Sequence, residues 1–136
     1  MAKTPLTKAK EKAWKAFSRY IRRRDCLFEN GFRTDYAACC TCGKVDTWRS
    51  LQAGHFVPGR RNSTLFDEQN CHAQCTSCNM FKGGNLIPYF LFMEQKYGRD
   101  TINRLRAANN ETAKYTADDY KRIETLYKAK FAKVDQ

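Results

Sequence analysis

Acidic residues, histidines and long apolar segments are all scarce in this sequence. Among its 136 residues, 14 are Asp or Glu against 25 Lys or Arg, and only two are His. The longest apolar run, Leu86–Met93, contains a proline and is too short to span a bilayer, so we expect no membrane-spanning segment and no membrane as the main partner. The first 24 residues lack an apolar signal region and hold nine basic residues, which favours an intracellular protein over a secreted one.

Internal repeats and low-complexity linkers are also absent, and the length suits a single domain over residues 1–136. Apolar residues make up 42% of the chain, enough for a modest core. The formal net charge of +11 favours a polyanionic partner. Nucleic acid is the first candidate, and an anionic membrane surface is a distant second.

A basic helix is predicted near the N-terminus, within residues 4–30. Thr4 suits an N-cap and Pro5 the first helical position. One face carries an apolar stripe, and another carries a basic stripe. The residues of the basic stripe are Lys8, Lys12, Lys15, Arg19 and Arg22. Like charges four residues apart oppose the helix slightly, so the stripe is easier to understand if it contacts phosphates. A merely solvated face is the alternative.

Seven cysteines in an intracellular chain do not indicate a disulfide framework. Two CxxC pairs, Cys39/Cys42 and Cys75/Cys78, are separated by 32 residues. Two such turns can complete the tetrahedral thiolate shell of a structural zinc ion. Because four cysteines leave no open position, this zinc would not activate water. Cys26, Cys40 and Cys71 are expected to be small buried residues.

The remaining pattern predicts an α+β fold. Residues 39–86 are short and turn-rich, with a strand expected within Leu51–Val57 and a short helix starting near Cys75–Asn79. Residues 88–133 are expected to be helical. The predicted helices there are Tyr89–Tyr97, closed by Gly98, then Thr101–Ala108, and a third that starts at Thr116 with Asp119 supporting its cap.

Several motifs, taken together, carry a specific resemblance. They are Lys12-Ala13-Trp14-Lys15-Ala16-Phe17-Ser18-Arg19-Tyr20-Ile21-Arg22, Cys39-x-x-Cys42, Ala53-Gly54-His55-Phe56-x-Pro58-Gly59, Phe66-Asp67-Glu68-x-Asn70-x-His72-Ala73-Gln74-Cys75-x-x-Cys78-Asn79, Gly84-Asn85 and Tyr97-Gly98. In these motifs the chain resembles the phage NinG (Rap) recombination-nuclease family. More remotely it is similar to the HNH (ββα-metal, His-Me finger) endonucleases, and in layout to phage recombination endonuclease VII.

The resemblance implies a small zinc-anchored ββα-metal core, flanked by the basic helix and the C-terminal helices. It also implies a metal-dependent DNA endonuclease in the cytoplasm of a phage-infected bacterium. The expected substrates are branched recombination intermediates, such as Holliday junctions or D-loops. Symmetric cutting of a junction would suit a homodimer.

The HNH pattern implies roles for individual residues. His55 would be the general base, since an imidazole can take a proton from water near neutral pH. Asn70 would hold the His55 loop by hydrogen bonds. Asn79 would offer an amide oxygen to a catalytic Mg²⁺ or Mn²⁺ ion. The position before the histidine is usually Asp or His, but Gly54 has no side chain, so the second metal ligand stays open. His72, Asp67, or phosphate and water alone are the candidates.

Three further basic residues are candidates for phosphate contacts. Arg60 and Arg61 follow His55 in a predicted loop, and Lys82 lies one turn past Asn79. Each could equally be an ordinary surface charge.

Two other functions compete with the nuclease. A non-catalytic zinc-knuckle module that binds DNA or RNA would explain the charge and the cysteines, and Gly54 favours it. A thiol redox protein would instead require exposed thiols with a low pKa and no bound zinc.

Overall fold

A computed structural model describes residues 2–58 and 63–136, and these residues contain four α-helices, five short strands and one π-helical turn. The helices are α1 (Pro5–Arg24), α2 (Leu86–Tyr97), α3 (Arg99–Ala108) and α4 (Ala117–Val134). The strands are β1 (Cys26–Glu29), β2 (Phe32–Ala38), β3 (Val45–Thr47), β4 (Gln52–His55) and β5 (Cys71–Gln74). The predicted α+β class is confirmed. Every helix among the described residues is too short or too polar to cross a membrane.

Helix α1 begins where the sequence predicts, because the Thr4 hydroxyl accepts a hydrogen bond from Thr7 N at 3.1 Å. It packs side by side with α4, and the two helices run in the same direction. Ala13 and Tyr120 share one cluster near their N-termini, whereas Phe17 and Tyr127 stack edge to face, with ring centroids 4.8 Å apart, further along. The two ends of the chain therefore form one helical layer.

The helix predicted within residues 4–30 ends at Arg24, inside the predicted range. The chain turns at Asp25 and continues as a hairpin of β1 and β2, with β3 on the other side of β2. Asn30 and Gly31 join β1 to β2 with φ angles of +52° and +82°. Positive φ at both central residues is what a tight hairpin turn requires, and Asn-Gly is the usual sequence for it.

A second hairpin, β4 with β5, lies at the centre of the molecule. It is antiparallel, with Gly54 opposite His72 and Gln52 opposite Gln74. A five-residue turn of π-helix, Ser77–Phe81, begins three residues after the end of β5 at Gln74. The short helix predicted near Cys75–Asn79 is therefore present, but as a single wide turn. Phe17 of α1 and Ala53 of β4 belong to one buried cluster, which joins the hairpin to the helical layer.

The C-terminal helices form close to the predicted positions. Helix α2 starts at Leu86 and ends at Tyr97, with Gly98 as its C-cap. Helix α4 starts with a capping box, in which Thr116 and Asp119 exchange side chain–backbone hydrogen bonds. Helices α2 and α3 bury Tyr89, Met93 and Ile102 against the segment that follows β4. This packing closes the hairpin on the side away from α1.

Candidate active site and zinc cluster

The four predicted cysteines meet at one point. The Sγ atoms of Cys39, Cys42, Cys75 and Cys78 all lie within 4.8 Å of one another, with Cys42 and Cys75 separated by 3.7 Å. Tetrahedral zinc with Zn–S bonds of about 2.3 Å separates its sulfurs by about 3.8 Å, so the cluster could bind zinc. Cys40 is not a member of the cluster. Such an ion would tie the β2–β3 turn to the segment after β5.

His55, at the end of β4, has a hydrogen-bond partner on one ring nitrogen, Nε2, among the described residues. Its Nε2 lies 3.0 Å from the carbonyl oxygen of Leu65. Since a carbonyl can only accept, Nε2 carries the proton and Nδ1 keeps its lone pair. The ring stacks on Trp14 of α1, with centroids 5.1 Å apart. Burial lowers the pKa of His55 below its usual 6.5, although the Leu65 hydrogen bond opposes this shift. The lowered pKa favours the neutral imidazole at pH 7.

Asn70 is fully buried and bridges the segment after His55. Its Oδ1 accepts from Val57 N at 2.8 Å, and its Nδ2 donates to Val57 O at 2.8 Å and Thr64 O at 3.2 Å. The backbone carbonyl of Asn70 also accepts from Phe56 N at 2.9 Å. These bonds hold the chain immediately after His55 against the start of β5.

Asn70→Asp should destabilise the fold by about 3 kcal/mol. The substitution would place a carboxylate oxygen against two carbonyl oxygens and bury a charge. Urea unfolding followed by circular dichroism measures the change. The matched control is Asn110→Asp at an exposed position, expected to change stability by less than about 0.5 kcal/mol. A loss below about 1 kcal/mol for Asn70→Asp would show that the bridge is not needed for folding.

Asn79 and Gln74 converge on Gly54. The Asn79 Nδ2 donates to Gln52 Oε1 at 2.7 Å, which leaves its Oδ1 directed toward β4. A Cβ atom at residue 54 would lie 1.9 Å from Gln74 Oε1 and 3.0 Å from Asn79 Oδ1. Gly54 is thus required sterically, because the Gln74 side chain fills the space that any side chain at residue 54 would occupy.

His72 lies within a chain of hydrogen bonds and offers no free nitrogen for a metal. The Tyr89 hydroxyl donates to Gly54 O at 2.7 Å, so it accepts from His72 Nδ1 at 3.0 Å. His72 Nε2 then accepts from the Tyr97 hydroxyl at 2.7 Å. Burial, together with the nearby Arg24 and Lys96, lowers the pKa of His72 far below its usual value. His72 is therefore not available as the ligand of the catalytic ion that the sequence suggested. Through the Tyr89 hydroxyl, it instead positions the backbone of Gly54.

The basic stripe divides into surface residues and a structural one. Lys12, Lys15 and Arg19 line a groove of about 620 Å³ between α1 and α4, and Lys8 is also exposed. Arg22 instead donates to the carbonyls of Trp48 at 3.3 Å and Ser18 at 3.1 Å. The guanidinium of Arg22 thus joins α1 to the segment before β4 and also lines the groove beside Gln52 and Asn79, so its predicted DNA contact stays a prediction.

The other predicted phosphate contacts fall in two places. Lys82 is exposed just after the π-helical turn. Arg60 and Arg61 lie outside the described residues, so their predicted role stays a prediction.

The sequence did not indicate three residues of the site: Trp14, which stacks on His55, Gln52, which bonds to Asn79, and Gln74, which lies against Gly54. Their contacts are made between distant segments, and no local sequence pattern indicates them.

Comparisons with known proteins agree on one group. A family profile described as "Bacteriophage Lambda NinG protein" matches residues 1–136. The proteins named "Protein ninG" from Escherichia phage 933W, Escherichia phage lambda and Salmonella phage P22 are each 29% identical over 121 residues. Each match covers 88% of this chain and 54–55% of the relative, so the chain spans about half the length of these relatives. No solved structure matches the chain.

Proposed function

The chain belongs to the NinG family of bacteriophage proteins, and from that premise we propose that it is a metal-dependent DNA endonuclease of the HNH type. In this proposal, β4, β5 and the π-helical turn form the ββα unit, and the zinc cluster holds that unit together. The observation that carries the proposal is His55, which is neutral, with Nε2–H given to Leu65 O and Nδ1 available. A histidine held in this tautomer is suited to accept a proton from water.

The proposed chemistry of the chain begins with His55. Its Nδ1 takes a proton from the water that attacks the phosphorus, and the Leu65 carbonyl stabilises the imidazolium that forms. The Trp14 ring restricts the imidazole to one orientation. Asn70 keeps the following segment in register with β5 and acts as a positioning residue.

A hard divalent cation, Mg²⁺ or Mn²⁺, would supply charge neutralisation at the phosphate and the leaving 3′ oxygen when bound. The residues present fit such an ion. Asn79 offers an amide oxygen, the type of ligand that hard cations accept. A second amide oxygen beside it, Gln74 Oε1, is buried and receives no hydrogen bond from any described residue.

DNA is proposed to approach along α1. A groove of about 360 Å³ extends from Trp14 and Ser18 to Gln52 and Asn79, which joins the basic helix to the reaction centre. Lys12, Lys15 and Arg19 lie further round the same helix. Three further proposals rest on the resemblance: location in the cytoplasm of a phage-infected cell, a branched DNA substrate, and a homodimer.

Replacing Lys12, Lys15 and Arg19 together by Gln should weaken junction binding and flatten its salt dependence. Each lost phosphate contact reduces the slope of log K against log salt by about 0.9 for duplex DNA. Fluorescence anisotropy at several salt concentrations measures the slope. The control replaces Lys44, Lys96 and Lys114, which are also exposed, by Gln. Equal slopes for the two triple variants would place DNA elsewhere on the surface.

The substrate class is tested with a labelled four-way junction and a linear duplex of the same sequence. Preferential nicking near the branch supports an endonuclease that recognises DNA structure. Equal cutting of both would leave the endonuclease and remove the junction preference. Binding without cutting in any divalent ion would favour the second candidate, a zinc-knuckle DNA-binding module, for which Gly54 is the supporting observation.

A further inference from the structure

Gln74 presents a polar atom that the protein itself leaves without a partner. The side chain is fully buried, and its Oε1 accepts no hydrogen bond from the described residues. A buried carbonyl oxygen without a hydrogen bond is destabilising and rare in folded proteins, so such an atom calls for an explanation.

The orientation of the Gln74 amide is fixed. Its Nε2 donates to the backbone oxygen of Gly84 at 2.7 Å and to Thr41 Oγ1 at 3.1 Å. A flipped amide would place an oxygen against the Gly84 carbonyl, which cannot donate. The unpaired oxygen must therefore face Gly54 and Asn79.

Gln74 Oε1 and Asn79 Oδ1 are close neighbours. They lie 1.9 and 3.0 Å from one point, the place of a Cβ at residue 54, so at most about 4.9 Å separates them. Two oxygens bound to one Mg²⁺ or Mn²⁺ at about 2.1 Å lie roughly 3–4 Å apart. The separations that a single cation bridges fall below this upper bound, so the bound is compatible with a shared cation.

We propose that Gln74 Oε1 and Asn79 Oδ1 together bind a hard divalent cation, Mg²⁺ or Mn²⁺, beside Gly54. The role of this cation in DNA cleavage rests on the proposed function, but its binding does not. Gly54 of β4 has no side chain that could bind a metal. In this proposal, Gln74 of β5 supplies the ligand in its place. The hydrogen bonds to Gly84 and Thr41 are what aim that ligand.

Both proposed ligands are neutral, and this has a measurable consequence. A site without a carboxylate binds free cations weakly, and a DNA phosphate would add the missing charge. We therefore expect DNA to tighten Mn²⁺ binding, and Mn²⁺ to tighten DNA binding by the same factor.

The first test uses the zinc-loaded wild-type protein, labelled with ¹⁵N and titrated with Mn²⁺. Paramagnetic broadening should remove the side-chain NH₂ signals of Gln74 and Asn79 before the other side-chain amide signals, and at lower Mn²⁺ when DNA is present. A Gln74 signal that stays sharp while other signals broaden would overturn the site. A trapped water in place of the cation predicts that same negative result.

The second test moves the proposed metal ligand from residue 74 of β5 to residue 54 of β4. Gln74→Ala should weaken Mn²⁺ binding about tenfold or more, since a metal ligand and its orientation are lost. Gly54→Asp combined with Gln74→Ala should restore binding and exceed wild type, because a carboxylate then occupies the vacated space. Gln95→Ala, at an exposed position, is the control and should change nothing.

Far-UV circular dichroism and zinc content establish that each variant is folded. Unchanged Mn²⁺ binding in a folded Gln74→Ala would overturn the proposal, and if that variant does not fold, the wild-type broadening decides. Mn²⁺ bound at Gln74 without any DNA cleavage would retain the site and contradict the nuclease. DNA cleavage without any Mn²⁺ effect on the Gln74 signal would retain the nuclease and contradict the cation site.

Discussion

His55→Ala should reduce DNA cleavage by about 10²–10⁴-fold, the usual contribution of a general base. The neutral imidazole, with Nε2–H held by the Leu65 carbonyl, is the proposed acceptor of the proton from water. Alanine removes that acceptor and leaves the backbone of β4 unchanged. Single-turnover cleavage of a junction in Mg²⁺ measures the effect, because product release then does not limit the rate.

The same variant should still fold and bind DNA. His55 is partly exposed at the edge of the hairpin, and its main packing partner is the Trp14 ring. Its loss should therefore change junction affinity, measured in EDTA, by less than about threefold, since no contact to DNA is assigned to the imidazole. Cleavage within tenfold of wild type would contradict the role as base. Loss of binding as well would show that His55 supports the structure.

Cys75→Ser should abolish zinc retention and unfold the centre of the molecule. Apparent binding free energies of structural zinc are about 10–16 kcal/mol in zinc-finger peptides, which exceeds the stability of most small domains. Cys39, Cys75 and Cys78 are also part of a buried cluster with Trp48 and Leu51. The zinc-free variant should lose near-UV circular dichroism and cooperative melting, while part of the α1 and α4 helicity persists.

Cys40→Ser provides the matched control for this experiment. Cys40 adjoins Cys39 in sequence, but its sulfur lies outside the four-sulfur cluster. Its substitution should leave zinc content at one ion per chain and lower stability by only about 1 kcal/mol. A Cys75→Ser protein that keeps its zinc and melts as wild type would contradict the structural role of the cluster.

The sequence predicts best those features that short segments determine. The CxxC spacing brings four sulfurs together, and local caps place the starts of α1 and α4. The β1–β2 hairpin was missed although Asn30-Gly31 indicates it. Most side chains of these strands are exposed, so the alternation of apolar and polar residues that reveals a strand is weak there.

The sequence does not predict features that depend on contacts between distant segments. Helical periodicity placed Arg22 in the basic stripe, but only the approach of the segment before β4 shows that carbonyls occupy it. Likewise, the sequence allows His72 as a metal ligand, but in the fold its two ring nitrogens form hydrogen bonds with the hydroxyls of Tyr89 and Tyr97. Gln74 had no local signal at all, because its environment arises from the pairing of β4 with β5 and the position of Gly84.

The most direct test of the proposed nuclease is cleavage of a labelled four-way junction by the purified, zinc-loaded protein. Samples contain Mg²⁺, Mn²⁺ or EDTA, with His55→Ala and a matched linear duplex in parallel. We expect nicks near the branch that require the added ion and fall by about 10²-fold or more in the variant. Junction binding without cleavage in either ion, or cleavage equal in wild type and His55→Ala, would contradict the proposal.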